Sequence, residues 1–172
     1  MASTPQAPPT PLAIRRAGTP DAVPLASLRH EFRGGIAPVA ETEAAFVERC
    51  AAWMTRRLEA SGAWRCWVAD SGDAIVGAVW LELVEKLPNP VGEPEWHGYV
   101  TSLYVRPEYR GRGLGSALLG ACLRECETRA VDAVVLWPSP ASRTLYLRHG
   151  FAVREDLMER RLWKSPDHPG EP

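Results

Sequence analysis

The most constraining stretch of this 172-residue chain is a loop with glycine at alternate positions, Gly111, Gly113 and Gly115, interleaved with arginines at Arg110 and Arg112. It follows a β-rich run, Trp96 to Val105, and leads straight into an apolar helical period that opens at Leu114. The fold must therefore hand a strand to a helix through a turn that glycine makes at little steric cost. A helix N-terminus offers unpaired N–H donors at the positive end of its dipole, and glycines let that backbone approach a ligand closely, which suits a pyrophosphate. A P-loop needs a Lys after its last glycine, and none stands here; the glycines are also too tightly spaced for a dinucleotide fingerprint, whose next strand would end in an acid where this chain has Trp137.

Lys and Arg number 20 against 21 Asp and Glu, a net charge of −1, so a chain built to neutralise nucleic-acid phosphates or an anionic membrane is excluded. No stretch approaches the ~20 apolar residues of a membrane span, and Met1 to Pro11 carries four prolines with no apolar signal core, so a cytoplasmic location is expected. Residues 1–11 and 165–172 read as disordered tails around a single domain, 12–164, large enough to bury a core without disulfides or metal. Cys50, Cys66, Cys122 and Cys126 form no C-x-x-C pair, and no metal site is expected. Cys122 and Cys126 share one face of a helix and read as small core hydrophobes.

Leu12 to Arg16 reads as a short strand, followed by helices over Ala22 to Phe32 and Glu41 to Ala60. Trp64 to Ala69 and Ala74 to Leu83 form a hairpin across Asp70-Ser71-Gly72-Asp73. An irregular Pro-rich loop, Leu87 to Glu95, leads into the Trp96 to Val105 strand. The helix from Gly113 to Ala130 should turn Leu114, Ala117, Leu118, Ala121, Cys122 and Leu123 inward. A short buried strand, Ala133 to Trp137, a helix over Ser142 to His149, and a last pair of strands, Phe151 to Arg154 and Leu157 to Trp163, complete the chain. The fold class is mixed α/β with a central, mostly antiparallel sheet flanked by helices, since strand and helix alternate too little for a Rossmann or TIM fold.

Arg110-x-x-Gly113-x-Gly115 resembles the R/Q-x-x-G-x-G/A acyl-CoA signature of the GNAT (GCN5-related) N-acetyltransferase superfamily. The wording around it, Leu103-Tyr104-Val105-Arg106-Pro107-Glu108-Tyr109, is also close to that family's. About 30 residues later, Tyr146 stands four residues before Gly150-Phe151, similar to the family's second motif in the expected order. The resemblance implies the GNAT acyltransferase fold, acetyl-CoA as acyl donor and a primary amine of a small molecule or peptide as acceptor, in a monomer or homodimer. Arg110, Gly111, Arg112, Gly113, Leu114, Gly115 and Ser116 would wrap the pyrophosphate, while Leu103, Tyr104 and Val105 pair with pantetheine; Ser142 and Tyr146 close the implied set.

Direct attack of an amine on a thioester needs a neutral amine, a polarised carbonyl and a proton for the departing thiolate. Tyr146 matches the family's general acid, and the Val105 N–H would polarise the carbonyl. Where relatives place a Glu on the central strand, this chain has Tyr99, Thr101 and Leu103, so proton removal is expected to run through water to Glu82, or to Glu85 or His97, or to occur in solution. Glu82, Glu85, Glu93 and Glu95 against Lys86 would favour a cationic acceptor, and Trp53, Trp64, Trp80 and Trp96 an aromatic wall. The missing strand carboxylate also admits a non-catalytic acyl-CoA sensor.

Overall fold

The computed structural model describes residues 12–35, 40–59, 62–160 and 162; the two expected tails lie outside them. A five-stranded sheet runs in the order β1 (Ala13–Arg16), β2 (Trp64–Asp70), β3 (Ile75–Glu85), β4 (Trp96–Val105), β5 (Ala133–Val135). All neighbours are antiparallel except β4 and β5, which are parallel. Helices α1 (Ala22–Gly34) and α2 (Glu43–Glu59) cover one face, and α3 (Leu114–Thr128) covers the other. The short α4 (Arg143–Arg148) follows β5.

The inner strands β2 and β3 read almost continuously apolar because both of their faces are buried. Val68, Ala78 and Trp80 point to α1 and α2, while Ala69, Val79 and Leu81 point to α3. On α3 the buried stripe is Leu114, Leu118, Leu119, Ala121, Cys122 and Cys126, spaced for a 3.6-residue period. Ala117, expected inward, lies beyond the edge of that stripe and is exposed; Leu119 takes the buried place instead. Cys66, Cys122 and Cys126 are buried free thiols, as the core reading of the helical pair requires, and Cys50 is half-buried.

Two expectations for the C-terminal third fail. The strand over Ala133 to Trp137 pairs only through Val135, because the chain leaves the sheet ahead of Pro138, which has no N–H for a ladder; Trp137 is 57% exposed rather than buried. No strand forms among the described residues of Phe151 to Arg154 or Leu157 to Trp163. The Phe151 N–H donates to the Tyr146 carbonyl (3.1 Å) and its ring meets the Tyr146 ring edge-on. Val153, Leu157 and Met158 beyond it are exposed, so these apolar side chains serve no buried face. Arg161 and Trp163 lie outside the described residues.

The first strand is tied to the first helix by Arg15, whose two Nη atoms donate to both Asp21 oxygens at 2.8 Å while its Nε donates to Asp70 at 2.8 Å. The Asp21 carboxylate also accepts the Gly18 N–H, and the Arg15 hydrogen bonds, opposed by partial burial, hold its pKa below the usual carboxylate range. A depressed carboxylate contributes stability that is present above the unfolded value of ~3.9 and is lost as pH falls through the lower folded value. Asp21→Asn should therefore cost about 1–2 kcal/mol in urea unfolding at pH 7, and the gap to the unmodified protein should narrow as pH falls below the ordinary carboxylate range.

Candidate functional site

The site is built on an irregularity in β4. Against β3 the register runs Ala78 to Tyr104 and then Trp80 to Thr101, so Val79 faces two residues, Ser102 and Leu103. This is a β-bulge, and it places Ser102 at φ +54°, a left-handed conformation uncommon outside glycine. Arg29 of α1 donates from Nη1 to Ser102 Oγ at 2.9 Å and holds the bulge from the helical side.

The pairing of β4 with β5 stops at Tyr99 and Val135. Beyond it the two strands diverge around a groove of about 840 Å³, with Tyr99 to Tyr104 on one wall and Trp137, Ser142 and Tyr146 on the other. Arg106 donates its N–H to Val76 of β3 (2.9 Å), so strand alternation turns the Val105 amide away from β3 toward this open edge. Tyr146 is buried; desolvation pushes its phenol above the ordinary tyrosine range, partly offset by a hydrogen bond with Ser142.

At the end of β4 the chain makes a short turn, Pro107–Tyr109, and enters the glycine loop. Gly111 (φ +74°) and Gly113 (φ +78°) are both left-handed, and a Cβ built on either would project into open space. No side chain among the described residues caps the first turn of α3, and its N–H groups face a second cavity, of about 860 Å³. That cavity is lined by Leu103, Tyr104, Val105, Arg110, Gly111, Gly113, Leu114, Gly115, Ser116 and Ser142, and it is continuous with the groove through Leu103, Tyr104, Arg110 and Ser142. Arg110 Nε donates to the Val105 carbonyl at 2.9 Å with its guanidinium over the Tyr104 ring. Arg112 lines neither cavity; it donates to the Glu108 carbonyl (3.3 Å) and lies over Tyr109. Ser116 Oγ is 2.6 Å from His149 Nε2.

The expected base lies apart from this arrangement. Glu82 is half-buried, in register with Trp64 and Tyr99 on the α1 and α2 face, and lines neither cavity. Glu85 is exposed at the far end of the β3–β4 pair, and His97 is 3.2 Å from Asp132, which also takes Lys86. Glu31 of α1 does line the groove, with Arg106 Nε and Nη2 donating to its two oxygens. A third cavity, of about 490 Å³, adjoins the groove through Arg29, Tyr99, Thr101 and Ser102. Arg29 and the bulge escaped the sequence reading; the signal for Arg29 is its place among Leu25, Leu28 and Phe32, where helical spacing sets a cation on an apolar face.

A family model described as "Acetyltransferase (GNAT) family" matches residues 31–151. A GCN5-related N-acetyltransferase from Ralstonia eutropha JMP134 superposes with TM-score 0.68 at 27% identity, over 88% of this chain and 99% of that one. A predicted acetyltransferase with acetyl-CoA from Clostridium acetobutylicum shares the fold at TM-score 0.70 and 20% identity, over 88% and 97%. A mycothiol acetyltransferase of Acidothermus cellulolyticus is 31% identical over 98 residues, 55% of this chain; the match spans 26% of that relative's length.

Gly113→Asp tests the loop. The side chain has room to stand, but it sets a carboxylate before the uncapped α3 terminus and forces a non-glycine residue to φ +78°. Its melting temperature should no longer rise with acetyl-CoA, and an undiminished rise would remove the loop from the ligand site.

Proposed function

The chain belongs to the GNAT acetyltransferase family, and we propose that it is an N-acetyltransferase that passes the acetyl group of acetyl-CoA to a primary amine of a small molecule or peptide by direct attack in a ternary complex. The observation that carries this reading is the continuity of the uncapped α3 terminus, the open β4 edge and Tyr146 along one groove. The residues fit the donor: Gly111 and Gly113 leave free the space that two Cβ atoms would take, and the α3 amides beside them suit a pyrophosphate. Bound acetyl-CoA supplies the acetyl group as a thioester and leaves as a thiol.

Gly111 and Gly113 to Ser116 hold the pyrophosphate through backbone N–H groups, and Arg110 braces that loop against β4. Leu103 and Val105 offer main-chain groups to the pantetheine arm. The outward Val105 N–H polarises the thioester carbonyl. Tyr146 gives its proton to sulfur; burial favours the protonated phenol until a stronger base forms beside it. The acceptor's proton leaves through water in the open groove; Glu82, paired with Tyr99 but outside both cavities, is reached only through further water.

Saturating acetyl-CoA, at about 100 times Kd, adds ~2.7 kcal/mol and should raise Tm by roughly 5–10 °C, with NAD and ATP giving no comparable shift. Release of free thiol with a panel of primary amines should follow; binding without release from any amine would make the chain a sensor rather than an enzyme. Tyr146→Phe should lower kcat about a hundredfold with acetyl-CoA affinity nearly unchanged, and equal turnover would remove the acid role.

A further inference from the structure

We propose that the acceptor is an amine that also carries a carboxylate and an aromatic or apolar body, in its simplest form an aromatic α-amino acid, with its carboxylate held by Arg29. This rests on the transferase reading and names the substrate class of the same site.

Arg29 stands at the junction of the groove and the third cavity and lines both. Its guanidinium is half-buried, gives one hydrogen bond to Ser102, and makes no ion pair among the described residues. Burial and the neighbouring Arg33 both disfavour its charge. A guanidinium cannot give up its proton in a protein, so a cation withdrawn from water here without a carboxylate is a site for an anion.

The third cavity agrees in sign and in shape. Arg29, Arg49 and Arg56 line it, and no Asp or Glu among the described residues does. Arg49 is taken by Glu41, but Arg56, like Arg29, has no ion-pair partner among the described residues. The acidic side chains Glu82, Glu85, Glu93 and Glu95, which suggested a cationic acceptor, line neither this cavity nor the groove. The same cavity is lined by indoles: Trp53, Trp64 and Trp80 meet one another with ring centres 5.3 to 6.1 Å apart. A carboxylate on Arg29 lets the ring of an amino acid rest on these indoles while its amine faces the groove. The balance is that of thioester aminolysis: a C–N bond forms as the C–S bond breaks, and amine plus acetyl-CoA give amide plus free thiol, the amine's proton being replaced on sulfur.

The test compares phenylalanine with phenylalaninamide and phenethylamine, by thiol release and by calorimetric titration of the CoA-loaded protein. kcat/KM for phenylalanine should exceed that for the other two about tenfold or more. The amide has the less basic amine and is more fully deprotonated at neutral pH, so a preference for the acid cannot come from amine basicity. Arg29→Gln should bring the ratio to about one and abolish the phenylalanine titration heat; Arg29→Lys should restore part of both. Equal or better use of phenethylamine, or an equal loss for all three in Arg29→Gln, overturns the inference and leaves the transferase reading standing. Phenylalanine binding that depends on Arg29 without thiol release from any amine supports the carboxylate site and overturns the transferase reading. No response to acetyl-CoA overturns both.

Discussion

Beyond Tyr99, strand β4 keeps hydrogen-bonding partners on one side only, and the rest of the molecule is arranged around that fact. A buried strand with an unpaired edge carries a row of polar groups that must find other partners. Here the edge opens into the groove, and the chain uses Pro138 and Pro140 to keep β5 from closing it. The Val105 carbonyl, at the end of that edge, is met by Arg110 from the glycine loop. A defect in the sheet thus becomes a surface of N–H and C=O groups with a fixed geometry.

The edge stays in place because everything behind it is packed on both faces. β2 and β3 are sealed between α1 and α2 on one side and α3 on the other. Glu125 of α3 adds a polar anchor to the far side of the sheet, within 4 Å of Arg16 on β1 and of the buried Arg65 on β2. At the site end, α1 is held to β4 twice, by Arg29 on Ser102 and by the forked pair of Arg106 with Glu31. The bulge and the helix that lines the groove are therefore one mechanical unit.

What was legible in the sequence was local. The 111–115 loop demands left-handed glycines, and both Gly111 and Gly113 are left-handed; the Asp70 to Asp73 turn follows from its composition, and the hairpin it joins and, Ala117 and Leu119 apart, the apolar stripe of α3 follow from periodicity. What was missed depends on partners distant in sequence. Ser102 carries no glycine signal for its positive φ, because a guanidinium 73 positions earlier in the chain helps to hold it. Val153, Leu157 and Met158 supply the apolar residues a strand would use, yet all three stay exposed. The acidic run before β4 is a feature of composition, and its side chains turn away from the cavities toward Lys86 and solvent.

The distribution of thiols gives the chain a built-in reporter. Cys66, Cys122 and Cys126 are closed off from solvent, while Cys50 is half-buried in the wall of the third cavity beside Trp53 and Trp64. Burial raises the Cys50 pKa, so at neutral pH its thiolate fraction is small and alkylation is slow. A mild electrophile added to the native protein marks this one position, and the rate of marking reads how much of the third cavity stands open at any moment.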